Sequence, residues 1–171
     1  MEKQLFANPD LCTGCNRCVY ACSAVKEGAF EPRKARLKIT NFASRGYSVP
    51  NICFQCPKAD CQAACPTDAF SRNSVGVVTI EPDKCIACGA CAAACTYGMV
   101  EQDEAGIAFK CDRCDGDPAC VKECHADALQ YVPADSELIR LKSVQMKTRT
   151  KNGSARDKRQ QLAEKLLKNA R

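Results

Sequence analysis

The sequence predicts an α+β fold in which inorganic ligands replace much of an ordinary core. Two observations predict it. Sixteen of the 171 residues are cysteine, whereas Leu, Ile, Val and Phe together number 31, too few for a self-sufficient apolar centre. The cysteines fall into four regularly spaced runs, each with a helical turn beside it and short β-rich stretches between the runs.

In chain order, residues 4–7 read as a strand leading into Cys12, Cys15, Cys18 and Cys22, spaced x2, x2, x3. Residues 17–26 are the helix that follows, with Val19, Ala21 and Val25 available for packing. Residues 26–50 are an insertion broken by Gly28 and Pro32. It carries a basic run, Arg33-Lys34-Ala35-Arg36, a strand at 37–40 and a loop through Gly46. The second run, Cys53, Cys56, Cys61 and Cys65, is spaced x2, x4, x3 and ends in Cys65-Pro66, where proline stops the helical turn. Residues 75–80 are β-rich and read as a hairpin strand.

The third run, Cys85, Cys88, Cys91 and Cys95, is followed by short strands at 99–101 and 106–109 around the acidic turn Asp103-Glu104. The fourth, Cys111, Cys114, Cys120 and Cys124, is spaced x2, x5, x3, with Gly116 and Pro118 in its widened loop. A last strand is expected at 129–132. Beyond residue 133 the character changes. Residues 136–146 have sparse apolar positions, 148–153 form a polar basic link, and 154–171 read as a helix. Ser154 with Asp157 can cap that helix, Leu162 and Leu166 lie one turn apart, and Glu164 with Lys168 makes an i, i+4 pair. The expected organisation is a cysteine-rich domain at 1–133 and a basic, partly helical extension at 134–171.

Third-run spacing, C-x2-C-x2-C-x3-C, is that in which bacterial ferredoxins hold cubane iron–sulfur clusters. In two-cluster proteins the fourth cysteine ligates the neighbouring cluster. The second and third runs are adjacent, so they pair as an inner module at about 50–97; the first and fourth pair as an outer module at about 1–30 plus 98–133. The fold expected is therefore two pseudo-symmetric two-cluster ferredoxin modules with a C-terminal helical extension. The crossed rule gives four [4Fe-4S] clusters: Cys12, Cys15, Cys18 with Cys124; Cys111, Cys114, Cys120 with Cys22; Cys53, Cys56, Cys61 with Cys95; and Cys85, Cys88, Cys91 with Cys65. Zinc also binds C-x2-C pairs, but it needs only four ligands in two pairs and gives no reason for a third and fourth cysteine in each run.

With every iron fully ligated, and no G-x-G-x-x-G, P-loop, H-E-x-x-H or Ser/His/Asp set in the sequence, the chain reads as a non-catalytic electron carrier. His125, the only histidine, follows Cys124, and Thr96 follows Cys95, both where ferredoxins usually have proline; neither changes the ligand assignment. Residues 1–10 contain no secretory signal and no stretch has transmembrane length, so a cytoplasmic chain without membrane insertion is expected.

Charge is divided unevenly. Residues 134–171 hold 11 Lys and Arg against 4 Asp and Glu, a net of +7, and residues 1–133 a net of −2. Each oxidised cubane with its four thiolates adds about −2. The tail is therefore expected to be a docking arm for an acidic partner or a second copy. A solvated helix ranks next, and a nucleic-acid or membrane-surface arm last, because the helix lacks aromatic residues for stacking and bulky interfacial anchors.

The four cysteine runs, Cys65-Pro66 and the phrase Lys110-Cys111-Asp112-Arg113-Cys114-x-Gly116-Asp117-Pro118-x-Cys120 resemble the four-cluster ferredoxin-like subunits of molybdenum and tungsten bis-pterin oxidoreductases. More narrowly, Cys12-Thr13-Gly14-Cys15 with Lys26-Glu27-Gly28-Ala29-Phe30-x-Pro32 and Ala35-Arg36-Leu37-Lys38-Ile39 is similar to the small iron–sulfur subunit of tungsten aldehyde oxidoreductase complexes. That resemblance implies a tungsten or molybdenum pterin catalytic partner that oxidises aldehydes, and a flavin subunit passing electrons to NAD. The alternatives are a carrier of a formate dehydrogenase or hydrogenase complex, and a cluster scaffold that forms filaments by self-association through its C-terminal helix. Redox sensing is weaker still, since no nucleic-acid reader is present.

Overall fold

The computed structural model describes residues 3–133, 135–148, 150 and 152–169. Its elements are short, as the thin apolar content requires, and each of the four sheets among the described residues has two antiparallel strands.

The ends of the cysteine-rich region meet. β1 (Lys3–Ala7) pairs with β8 (Leu129–Pro133), with Leu5 opposite Tyr131 and Ala7 opposite Leu129. Leu5, Ala7 and Leu129 are buried in the larger apolar core. α1 (Arg17–Glu27) begins after Asn16 in a left-handed conformation and stops at Gly28. It packs on α4 (Ala119–Lys122), bringing the first and fourth runs together. The insertion forms a hairpin of β2 (Lys38–Phe42) and β3 (Tyr47–Asn51). Pro50 in β3 is tolerated because a two-stranded sheet has only edge strands. The polar β3 was not legible as a strand from its residues.

The second and third runs also meet, because α2 (Asp60–Ala63) packs on α3 (Ala90–Ala94). The β-rich stretch at 75–80 narrows to β5 (Val78–Ile80), paired with an unforeseen β4 (Phe70–Arg72). Asn73 makes the turn: its side-chain oxygen accepts from the N–H groups of Val75 (3.2 Å) and Val77 (2.8 Å), taking residues 75–77 out of the strand. β6 (Glu101–Gln102) and β7 (Ala108–Phe109) make the last hairpin. A second, smaller core of Phe70, Val78, Cys91, Val100 and Ala108 lies here.

The extension departs most from expectation. Residues 136–147 are helical, as α5 (Ser136–Lys147), although Ile139 and Val144 are exposed. Asp135 caps the helix by accepting from Leu138 N–H at 2.8 Å. Polar bonds dock it on β1: Gln145 Nε2 donates to the Ala7 carbonyl and Lys142 Nζ to Gln4 Oε1, each at 2.7 Å. α6 (Ala155–Asn169) carries the expected cap, with Ser154 N–H donating to Asp157 Oδ2 at 2.9 Å and Asp157 N–H to Ser154 Oγ at 3.2 Å. It is not a free arm. Leu162, Ala163 and Leu166 are buried in the main core, and α6 lies on β2 and β3 of its own chain. The reading of this segment as a solvated helix is corrected, because its apolar stripe is covered by its own body. Among the described residues no helix is long and apolar enough to cross a membrane.

Candidate cluster-binding sites

Each cysteine run begins in a loop and ends on or beside a short helix, so its first thiols face one way and its last the other. The loops are shaped by left-handed residues: Asn16 in the first, Gln55 in the second, Ala87 in the third, Cys114 and Asp115 in the fourth. Alternating helical and left-handed backbone turns successive N–H groups toward one concave side, a geometry suited to an anionic ligand.

Four cavities result. Cys12, Cys15, Cys18 and Cys124 line one, with His125 in its wall. Cys22, Cys111, Cys114 and Cys120 line the second, together with Cys53. Cys53, Cys56, Cys61 and Cys95 line the third, and Cys65, Cys85, Cys88 and Cys91 the fourth. In every case three cysteines come from one run and one from its partner run. α1 supplies Cys18 to the first cavity and Cys22 to the second, one turn apart.

Several thiols already receive main-chain N–H bonds. Met99 N–H donates to Cys95 Sγ at 3.2 Å and Ala69 N–H to Cys65 Sγ at 3.4 Å, both from four residues ahead. Arg36 N–H donates to Cys22 Sγ at 3.2 Å from the insertion. Burial, reinforced by the neighbouring thiols, pushes Cys18 and Cys61 up to about 12 and Cys56 to about 11. Burial pushes Cys111 to about 12, and Cys120 is also strongly raised. Thiols gathered in this way around one cavity repel one another as thiolates, and a cationic core between them relieves that repulsion. A set made up wholly of cysteine thiols suits an iron–sulfur cluster, whose irons take thiolate ligands.

Around the cavities stand residues that spacing did not single out as functional. Gln55 Nε2 donates to the Cys111 carbonyl at 2.7 Å and its Oε1 accepts from Val78 N–H at 2.9 Å, linking the walls of the second and third cavities. Lys110 lines the third and Arg113 the second, both buried; their place beside Cys111 in the fourth run was the available signal. Lys158, on α6, had none. Thr96, in place of proline, donates to Asp60 Oδ2 at 3.5 Å, while its carbonyl accepts from Thr150 Oγ1.

Comparison with known proteins agrees with the donor set. Residues 45–134 match the 4Fe-4S dicluster domain, and residues 9–25 a 4Fe-4S binding domain. The chain belongs to the 4Fe-4S dicluster family. As a member of it, this dicluster protein binds [4Fe-4S] clusters. It is 40% identical over 134 residues to the aliphatic sulfonate oxidoreductase polyferredoxin-like subunit of Pyrococcus furiosus, covering 75% of this chain and 76% of that one. It is 32% identical over 143 residues to the thiosulfate reductase electron transfer subunit PhsB of Salmonella typhi, covering 75% and 74%. It is also 34% identical over 130 residues to the NADH-dependent phenylglyoxylate dehydrogenase subunit beta of Aromatoleum evansii, covering 73% of this dicluster chain but 29% of the longer protein. The likeness therefore lies with ferredoxin-like iron–sulfur subunits of oxidoreductase complexes. None of these three names a tungsten aldehyde oxidoreductase.

Proposed function

We propose that the chain is a non-catalytic electron-transfer subunit whose four cavities each hold one [4Fe-4S] cluster, ligated by the four cysteines that line it. The single observation carrying this reading is the set of four neighbouring cavities, each walled by a cysteine quartet, with Cys53 in the walls of both the second and the third. A bound cubane supplies reversible one-electron storage. The residues of the chain fix the distances between clusters and exclude water between them. α1 joins the first and second sites through Cys18 and Cys22, Cys53 joins the second and third, and the Cys61/Cys65 and Cys91/Cys95 pairs join the third and fourth.

The two ends are open: Cys15 and Cys88 are exposed, and Ile86 beside Cys88 is 61% exposed. Electrons enter at one end and leave at the other. On this reading the second and third runs form an inner two-cluster module and the first and fourth an outer one. The α1–α4 and α2–α3 contacts and the β1–β8 pairing support this division.

The partner we favour is a tungsten or molybdenum pterin catalytic subunit, such as an aldehyde oxidoreductase, with a flavin subunit as the second electron partner, in the cytoplasm. Support comes from the motif phrases at Cys12–Ile39 and Lys110–Cys120 and from relatives named as oxidoreductase subunits. Self-association through α6 is not proposed, since its apolar face is buried in the same chain.

The test is anaerobic purification of the tagged chain from its native host, followed by elemental analysis. About sixteen iron atoms per chain are expected from four cubanes, with tungsten or molybdenum in the co-purifying partner. Nickel would move the partner to a hydrogenase, and zinc in place of iron would overturn the electron-transfer reading.

A further inference from the structure

The four cavities are not electrically alike. Among the described residues, none lining the cavity of Cys65, Cys85, Cys88 and Cys91 is charged, and the nearby Asp68 adds negative charge beside Cys65. The neighbouring cavity of Cys53, Cys56, Cys61 and Cys95 is bordered by Lys110, which is 7% exposed. The Lys110 ammonium donates to the Cys111 carbonyl at 3.1 Å, to Gln55 Oε1 at 3.2 Å and to the Val78 carbonyl. A second buried cation, from the far end of the chain, sits on the turn of α3 that joins Cys91 to Cys95, with the Cys95 carbonyl among its acceptors. Lys158, 4% exposed on α6, donates to the carbonyls of Ala93 at 2.6 Å, Cys95 at 3.1 Å and Ala92 at 3.5 Å.

Among the described residues every acceptor of both lysines is neutral, so no described carboxylate bonded to either cancels its charge. Burial keeps both from the solvent screening that weakens surface charges. Lys58 and Asp60 also line this cavity, but Lys58 is solvent-exposed and the two have opposite signs.

We propose that Lys110 and Lys158 are potential-setting residues: their buried charges make the cluster of Cys53, Cys56, Cys61 and Cys95 easier to reduce than the cluster of Cys65, Cys85, Cys88 and Cys91. An arriving electron makes the site one unit more negative without forming or breaking a bond, and nearby fixed positive charge stabilises that state. Net local charge is one of the quantities that set cluster potentials. Of these two clusters, the electron then rests on the inner one, a step in from the exposed Cys88 end. The C-terminal helix is part of the redox machinery, and Lys158 acts through the Cys95 main chain.

This inference rests on the proposed cluster sites, and the test separates the two. Purified holo-chain is titrated anaerobically, with the reduced clusters followed by electron paramagnetic resonance. Wild type is compared with Lys158→Gln, Lys110→Gln and Lys158→Arg, with iron content and amide exchange of α6 measured on each. The expected result is unchanged iron, one reduction wave shifted to lower potential in Lys158→Gln, the same wave shifted in Lys110→Gln, and its return toward wild type in Lys158→Arg.

Waves that stay in place in both glutamine variants overturn the inference, as do shifts in different waves or an equal shift of all of them. If α6 detaches in Lys158→Gln, Lys110→Gln carries the test, because Lys110 lies outside that helix. A wild-type chain without reducible iron would overturn the cluster sites and this inference together. Normal iron with unmoved waves overturns this inference alone.

Discussion

Gly98 lies directly beneath Ala155: a Cβ built on Gly98 would stand 3.1 Å from the Ala155 Cα and about 3.0 Å from its carbonyl carbon, and Gly98 has a left-handed φ of +64°. The turn that follows Cys95 thus seats the start of the C-terminal helix. Arg159 fastens it, donating to the Gly98 carbonyl at 2.5 Å and to Glu101 Oε1 at 2.8 Å. Gly98→Ala therefore meets backbone strain and a backbone clash together. Expected is a loss of about 1–3 kcal/mol in stability and faster amide exchange throughout α6. Unchanged protection of α6 would show that the seat is not needed.

Leu162 is 2% exposed and belongs to the main core. Leu162→Ala is expected to cost about 2–5 kcal/mol, the range for truncating a buried leucine, read as a lowered thermal midpoint of the holo-chain. A solvated arm would give a change near zero.

Ligands that cross between runs make a specific pattern. Cys95→Ser and Cys61→Ser are expected to remove the same reduction wave, and Cys65→Ser and Cys91→Ser a different one. Each variant should lose about a quarter of the iron if four equal clusters are bound. Loss of one wave shared by Cys61→Ser and Cys65→Ser, and of another shared by Cys91→Ser and Cys95→Ser, would refute the crossed arrangement.

Iron removal by chelator under oxidising conditions is expected to abolish cooperative unfolding, followed by circular dichroism. The reason is the thin apolar core, which leaves the cysteine-lined cavities as its centre, so that cluster binding and folding are one process. A chain that keeps a sharp transition without iron would show that β1–β8 and the α6 contacts suffice alone.

Asp157 is held below its ordinary carboxylate value by bonds from the Ser154 hydroxyl and main-chain N–H. A depressed folded-state pKa stabilises the charged form. The cap contributes fully above the unfolded value near 3.8 and is lost as pH falls through the lower folded value. Amide protection factors at the start of α6, corrected for intrinsic exchange, are expected to hold from neutral pH to about 4, and Asp157→Asn is expected to lower them already at neutral pH.

The cysteine runs and the family are properties of the sequence itself, because ligand spacing is local: x2 to x5 intervals within a run fix which thiols share a loop. α1, β1, β8 and the capped start of α6 are similarly local, set by Gly28, short apolar-rich stretches and the Ser154/Asp157 pair. The four cysteine groups expected from spacing line four cavities, the second with Cys53 added. Their occupation by clusters remains our proposal.

Tertiary structure alone decided what the C-terminal extension does. Lys158 and Arg159 look like solvated charges in sequence, since nothing within a few residues of them accepts a hydrogen bond in their place. Their partners, the carbonyls of Ala93, Cys95 and Gly98, lie some sixty residues away. β3, with Pro50 in it, and α5, with exposed Ile139 and Val144, were hidden for the same reason. Hairpin pairing and polar contacts to β1 hold them in place, and no run of apolar side chains announces either one.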